Sequence, residues 1–219
     1  MDPRKKILFA GDSITEAGRF SGPSGGLGDG YVSQVAARLA LAGDPTDVVN
    51  RGVSGNCALD LRKRWQVDVV DESPDVLTIF VGINETSRRF DRDDPTPDDV
   101  FERHYRALID SIDPARLDLL VLVEPFLVPV DEEQKTWLDE LAGKRTTVAR
   151  LADEYGAVFL PLHDALGDRD AADASSPVTW DGIHPTPLGH GVIASSWLAC
   201  YQSRFGPTGD APAEVRWAT

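Results

Sequence analysis

Short apolar runs alternate with longer stretches of helical spacing along this chain. Ile7 to Ala10 is apolar at every position, the pattern of a strand buried on both faces of a parallel sheet. Further strands are predicted at Asp47–Asn50, Val76–Val81, Leu117–Glu124 and Ala157–Leu162. Between the first two, Tyr31 to Leu41 places Val32, Val35, Ala36 and Leu39 on one helical face, and Gly43-Asp44-Pro45 ends it. Helical spacing recurs over Leu59–Val70, over Asp131–Tyr155 as far as Gly156, and over Pro187–Tyr201. Another helix runs from Asp98, a capping residue, to about Ile112. The polar stretches Gly18–Gly30, Ser87–Asp94 and Asp168–Ser176 read as loops, and the tail from Gly206 as loosely held. Five strands alternating with helices predict an α/β fold. Its form is a three-layer α/β/α sandwich on a central five-stranded parallel sheet with right-handed crossovers. Without an internal repeat or a long linker, residues 1–219 read as one domain, with its core over about 5–203.

Composition narrows the class. A chain of 219 residues buries a substantial core without disulfides or metal. Its 36 acidic against 22 basic side chains give a formal charge of -14, which argues against nucleic acid and anionic membranes as partners. No apolar run approaches the roughly 18 residues of a membrane-spanning helix. The charged start Met1-Asp2-Pro3-Arg4-Lys5-Lys6 is followed by too short an apolar run for a secretory signal. Two cysteines, Cys57 and Cys200, make no disulfide framework and fit a reducing compartment. A cytoplasmic protein is expected.

The first strand stops on Gly11-Asp12-Ser13, at the edge where open α/β sheets hold their ligands. A serine nucleophile needs a base, an orienting acid and donors for the oxyanion. His184 precedes the last helix, and Asp181 lies three residues earlier, so the two side chains meet across one turn. The aspartate fixes the imidazole tautomer, leaving the other ring nitrogen to take the Ser13 proton. The candidate oxyanion donors are the backbone N–H groups of Ser13 and Gly52 and the side-chain amide of Asn84, each just after a predicted strand.

The blocks Gly11-Asp12-Ser13-Ile14-Thr15, Gly52, Gly82-Ile83-Asn84-Glu85 and Asp181-Gly182-Ile183-His184-Pro185 resemble, in order and spacing, those of the SGNH (GDSL) hydrolase superfamily. The resemblance covers residues 7 to about 200. It implies a flavodoxin-like fold, a serine esterase and no cofactor. Ser13, Asp181 and His184 would be catalytic, with Ser13, Gly52 and Asn84 forming the oxyanion hole. The runs Arg51–Asn56, Asp60–Trp65 and Gly82–Phe90 are further similar to intracellular acetyl-xylooligosaccharide esterases, although Glu85 and Thr86 replace an expected Asp and Val. The implied partner is a small-molecule ester, an acetylated oligosaccharide among the choices, and a homo-oligomer is compatible with it.

Other readings compete. Ser13 alone suits a helix N-cap. Ser24, in Gly22-Pro23-Ser24-Gly25-Gly26, matches a nucleophile elbow literally but lacks the strand before and the helix after it. His163-Asp164 is a rival base and acid pair, while His190 and His104 read as packed and solvated. The scattered histidines give no metal signal. Cys57 reads as a small buried residue, and Asp12 as a brace for its loop or a substrate contact. Trp65 and Trp180 are candidates to face a sugar ring, with core packing as the alternative for each. An acyltransferase, a lysophospholipase or thioesterase, and a non-catalytic sugar-binding protein share the same fold-level pattern.

Overall fold

The computed structural model describes residues 4–21, 26–44 and 46–206. Ser24, the start Met1–Pro3 and the tail after Gly206 lie outside the described residues. Five parallel strands form one sheet: β1 (Lys5–Gly11), β2 (Thr46–Gly52), β3 (Val76–Phe80), β4 (Leu119–Val123) and β5 (Val158–Leu160), in the order β2-β1-β3-β4-β5. Register runs from Lys5 opposite Thr46 to Gly11 opposite Gly52, so β1 and β2 stop level with each other. The order reverses at β1, and the ends of β1 and β3 flank the crevice this creates.

Alternation within each buried strand divides the core in two. Ile7 and Phe9, with Val76, Phe80, Val121 and Val123, face one layer. That layer holds α2 (Tyr31–Leu41) and α9 (Pro187–Phe205). Leu8, Ala10, Leu77, Ile79, Leu120 and Leu122 face the other. There lie α3 (Ala58–Trp65), α5 (Asp98–Asp110) and α7 (Leu138–Tyr155). Thr78, polar and fully buried, accepts a hydrogen bond from the Trp197 indole at 2.8 Å, so the strand carries no unpaired hydroxyl there.

Three expectations change. Ser87–Asp94 is not a loop: α4 (Ile83–Arg92) begins almost directly after β3. Its polar residues are carried by a stripe of Ile83, Thr86, Ser87 and Phe90, and Phe90 stacks on Trp137 with centroids 5.1 Å apart. Asp168–Ser176 is helical in its first half, as α8 (His163–Ala172), which buries Leu166. The long helix from Asp131 is two pieces, α6 (Glu132–Lys135) and α7. The helix predicted over Leu59–Val70 is α3 continued by a π-helical turn, Gln66–Val70. Among the described residues no helix is long and apolar enough to cross a membrane.

Candidate active site

Ser13 is the first residue of a short helix, α1 (Ser13–Glu16), which leaves β1 after one intervening residue. That residue, Asp12, caps α1: its Oδ1 accepts from the Ile14 N–H at 3.0 Å. The capping role considered for Ser13 therefore belongs to Asp12. The backbone N–H of Ser13 has no partner among the described residues, as the first N–H groups of a helix do not.

The loop before α9 delivers the other two groups. Thr179 and Pro185 form an isolated antiparallel bridge, and the Trp180 N–H donates to the His184 carbonyl at 2.8 Å, closing residues 180–184 into a tight turn. Within it, Asp181 Oδ1 accepts from the N–H groups of Ile183 (3.0 Å) and His184 (2.7 Å). The remaining oxygen, Oδ2, lies 2.7 Å from His184 Nδ1, and His184 Nε2 lies 3.0 Å from Ser13 Oγ. Partial burial opposes the Asp181 charge. Hydrogen bonds from the His184 backbone and ring and from Ile183 outweigh it and hold the carboxyl below its ordinary range. Gln134 of α6 latches the turn from outside, donating to the Asp181 carbonyl at 2.8 Å and accepting from Val130 N–H at 3.1 Å. Nothing in the sequence pattern marks Gln134, 47 residues away from Asp181.

Asn84, on the first turn of α4, directs its side-chain amide to the Asn56 carbonyl at 3.0 Å. That bond uses one of its two amide hydrogens and leaves the other. Gly52 does not match its expected role. Its N–H donates to Asn50 Oδ1 at 2.8 Å, and the Asn50 amide is itself fixed to the Thr15 and Leu27 carbonyls at 2.7 and 2.8 Å. Glycine is required at 52 for packing, because a Cβ there would lie 2.2 Å from the Glu16 backbone nitrogen. Three residues on, Gly55 sits in the turn Val53–Asn56 at φ +74°, and its N–H has no partner among the described residues. Arg88 holds that turn by donating to the Gly55 carbonyl at 2.6 Å. Gly55 lies in the same run, Arg51–Asn56, as Gly52, and the side chain of Asn50 engages the N–H of one and not of the other.

The other singled-out residues, Trp180 excepted, take no part in this hydrogen-bonded cluster or its rim. Asp12 is fully buried, so it braces the loop and is not a substrate contact. Burial pushes its carboxyl up to about 7, against the Ile14 N–H, and burial likewise pushes Glu85 to about 7. Trp65 is 4% exposed and packs in the core with Leu8 and Leu61, whereas Trp180 is 70% exposed beside Asp181. His163 accepts from the Leu127 N–H at 3.4 Å, and Asp164 turns outward to Arg145, so they do not form a pair. His104 accepts from Arg62 at the surface, and Cys57 is buried with its thiol pushed up by desolvation.

His190 is packed as expected, accepting from the Tyr31 N–H at 3.1 Å, and burial lowers it from 6.5 to about 4. Between those values the unfolded chain binds a proton that the folded one does not, so this group's stabilisation is lost as pH falls from about 6.5 to about 4. The buried Asp12 and Glu85 act in the opposite sense over part of that range, which makes a variant comparison the informative one. His190→Gln is expected to lose less stability than the parent between pH 6.5 and 4.5, measured by urea unfolding; an equal loss would contradict it.

Comparison with known proteins shows the family and the fold. A family model described as "GDSL-like Lipase/Acylhydrolase family" matches residues 9–192. An acetylxylan esterase of Geobacillus stearothermophilus is 31% identical over 205 residues, covering 89% of this chain and 92% of its own. The solved structure of Axe2, an acetylxylan esterase from that organism, superposes with a TM-score of 0.81 at 28% identity, covering 97% of this chain and 100% of its own. Catalytic mutants of Axe2 carry alanine for a serine, an aspartate and a histidine. LAE5, described as an α/β hydrolase enzyme from the metagenome of Lake Arreo, matches with a TM-score of 0.79 at 28% identity, covering 89% of this chain and 94% of its own. With that family model spanning most of the chain, the protein belongs to the GDSL-like lipase/acylhydrolase family and is a carboxylic ester hydrolase.

Proposed function

We propose that the protein removes short acyl groups, acetyl above all, from small sugars or xylo-oligosaccharides through an acyl-enzyme on Ser13. The observation that carries this reading is the in-line relay of Ser13 Oγ, His184 and Asp181 at 3.0 and 2.7 Å. His184 Nε2 takes the hydroxyl proton as Oγ bonds to the ester carbonyl carbon. The resulting oxyanion is met by the Ser13 N–H, the free Asn84 amide hydrogen and, in place of Gly52, the Gly55 N–H. Collapse breaks the bond to the alcohol, which leaves with the proton from Nε2. Water then attacks the acyl-enzyme, giving its proton to Nε2, and Ser13 departs with that proton, releasing the carboxylic acid. Asp181 keeps Nδ1 protonated and balances the imidazolium in both halves.

Two features support a small acyl group on a bulky alcohol. The His184 and Asp181 side chains stand on an open rim beside the exposed Trp180, which leaves room for a sugar. The similarity to acetylxylan esterases points the same way. A panel of acetyl, butyryl and octanoyl p-nitrophenyl esters with acetylated xylo-oligosaccharides tests it. The expected order is acetyl above butyryl above octanoyl, with acetate released from the sugar. Faster cleavage of the octanoyl ester, or an intact acetylated sugar, would overturn it.

A further inference from the structure

The last turn of α3 places Arg64 under the region just described, with its side chain 20% exposed. Its guanidinium donates in several directions at once. Nη2 reaches the Gly11 carbonyl at 3.0 Å, and Nη1 the Arg51 carbonyl at 2.8 Å. Nε reaches Asn56 Oδ1 at 2.8 Å, and Asp68, one turn along, holds Nη1 at 2.6 Å. These acceptors lie on the segments that carry the chemistry. Gly11 ends β1 two residues before Ser13, and Arg51 is the penultimate residue of β2, two residues before the Val53–Asn56 turn that holds Gly55. Asn56 is the residue whose carbonyl orients the Asn84 amide.

Where β1 and β2 end, carbonyls lose their ladder partners and need other donors. A lysine reaches one point; a planar guanidinium spans several with fixed angles between them. Gly11 also accepts from the Val53 N–H at 3.1 Å, so the strand end and the turn are tied both directly and through Arg64. Salt-bridging alone does not account for this arrangement, since Asp68 occupies one N–H while backbone or amide oxygens take three others.

We propose that Arg64 is a positioning residue for the oxyanion hole, fixing the Asn56 turn, and through it Asn84, against the strand end that carries Ser13. This rests on the reading that Asn84 stabilises the oxyanion. The Arg64 guanidinium is held by Gly11, Arg51, Asn56 and Asp68, so in this proposal its removal affects turnover by displacing donors.

Steady-state kinetics with p-nitrophenyl acetate on the full chain test it, comparing the parent with Arg64→Met, Arg64→Lys, Asn56→Ala, Asn84→Ala and the pair Arg64→Met with Asn84→Ala. Arg64→Met is expected to lower kcat about 10- to 100-fold with KM within about twofold, and Arg64→Lys not to restore it. Asn56→Ala is expected to lose less, in the same direction. In the Asn84→Ala background the loss caused by Arg64→Met is expected to shrink, because residues acting through one group are not additive. An unchanged kcat, a rise in KM instead, or an undiminished loss in the Asn84→Ala background would overturn the proposal. Should Arg64→Met not fold, the same cycle between Asn56→Ala and Asn84→Ala decides, and an additive result or an unchanged kcat overturns it. If Asn84→Ala alone leaves kcat intact, the oxyanion assignment fails first, and the Arg64 role with it.

Discussion

Replacing Ser13 with alanine is expected to lower kcat for p-nitrophenyl acetate by about 10⁵- to 10⁶-fold, the scale on which a serine hydrolase loses its nucleophile. The substitution removes one oxygen whose partner is His184 Nε2. The cap of α1 is supplied by Asp12, so the helix survives the change, and the N–H of residue 13 stays where it was. The melting temperature should therefore stay within about 3 °C of the parent, since a change that removes no buried contact costs little stability. A folded Ser13→Ala protein that still turned over the ester at a tenth of the parent rate would remove Ser13 from the mechanism.

Asp181→Asn is expected to cost about 10⁴-fold in kcat at neutral pH while leaving the turn in place. An asparagine Oδ1 still accepts from the Ile183 and His184 N–H groups, the contacts that shape residues 180–184. Its NH₂ replaces the oxygen that faces His184 Nδ1 at 2.7 Å. A donor there favours the tautomer with the proton on Nε2, and such a ring cannot accept from Ser13 Oγ. The loss is therefore one of protonation, and KM is expected to move far less than kcat. A loss below about tenfold would mean that His184 does not depend on Asp181 for its tautomer.

The strand pattern was legible because each of the central strands is apolar on both faces, which no other element of this length requires. What escaped were helices whose apolar stripe is thin. α4 carries Glu85, Ser87, Arg88 and Arg89 among its residues and reads as polar until Phe90 is seen stacked on Trp137. α8 has one buried side chain, Leu166, so its helicity depends on a tertiary contact rather than on spacing.

At the site, the serine, histidine and aspartate were legible because their chemistry is carried by residue type and short spacing. The backbone donors were not, since any residue has an N–H and only its partner decides whether that N–H is free. Asn50 takes the Gly52 N–H, whereas the Gly55 N–H has no partner among the described residues, so the proposed donor is Gly55. Arg64 was invisible for the same reason: three of its acceptors lie on strand ends and a turn that sequence separates and the sheet brings together. Trp65 and Trp180 show the limit from the other side, identical residue types with opposite exposure set by the helix face and the rim they occupy.

In the proposed mechanism Ser13 becomes the acyl-carrying nucleophile. Fluorophosphonate inactivation followed by peptide mapping tests it most directly. One adduct per chain on the Ser13 peptide, accumulating in step with the loss of esterase activity, is the predicted result. Inactivated protein with Ser13 unmodified, or an adduct on another residue, would contradict it.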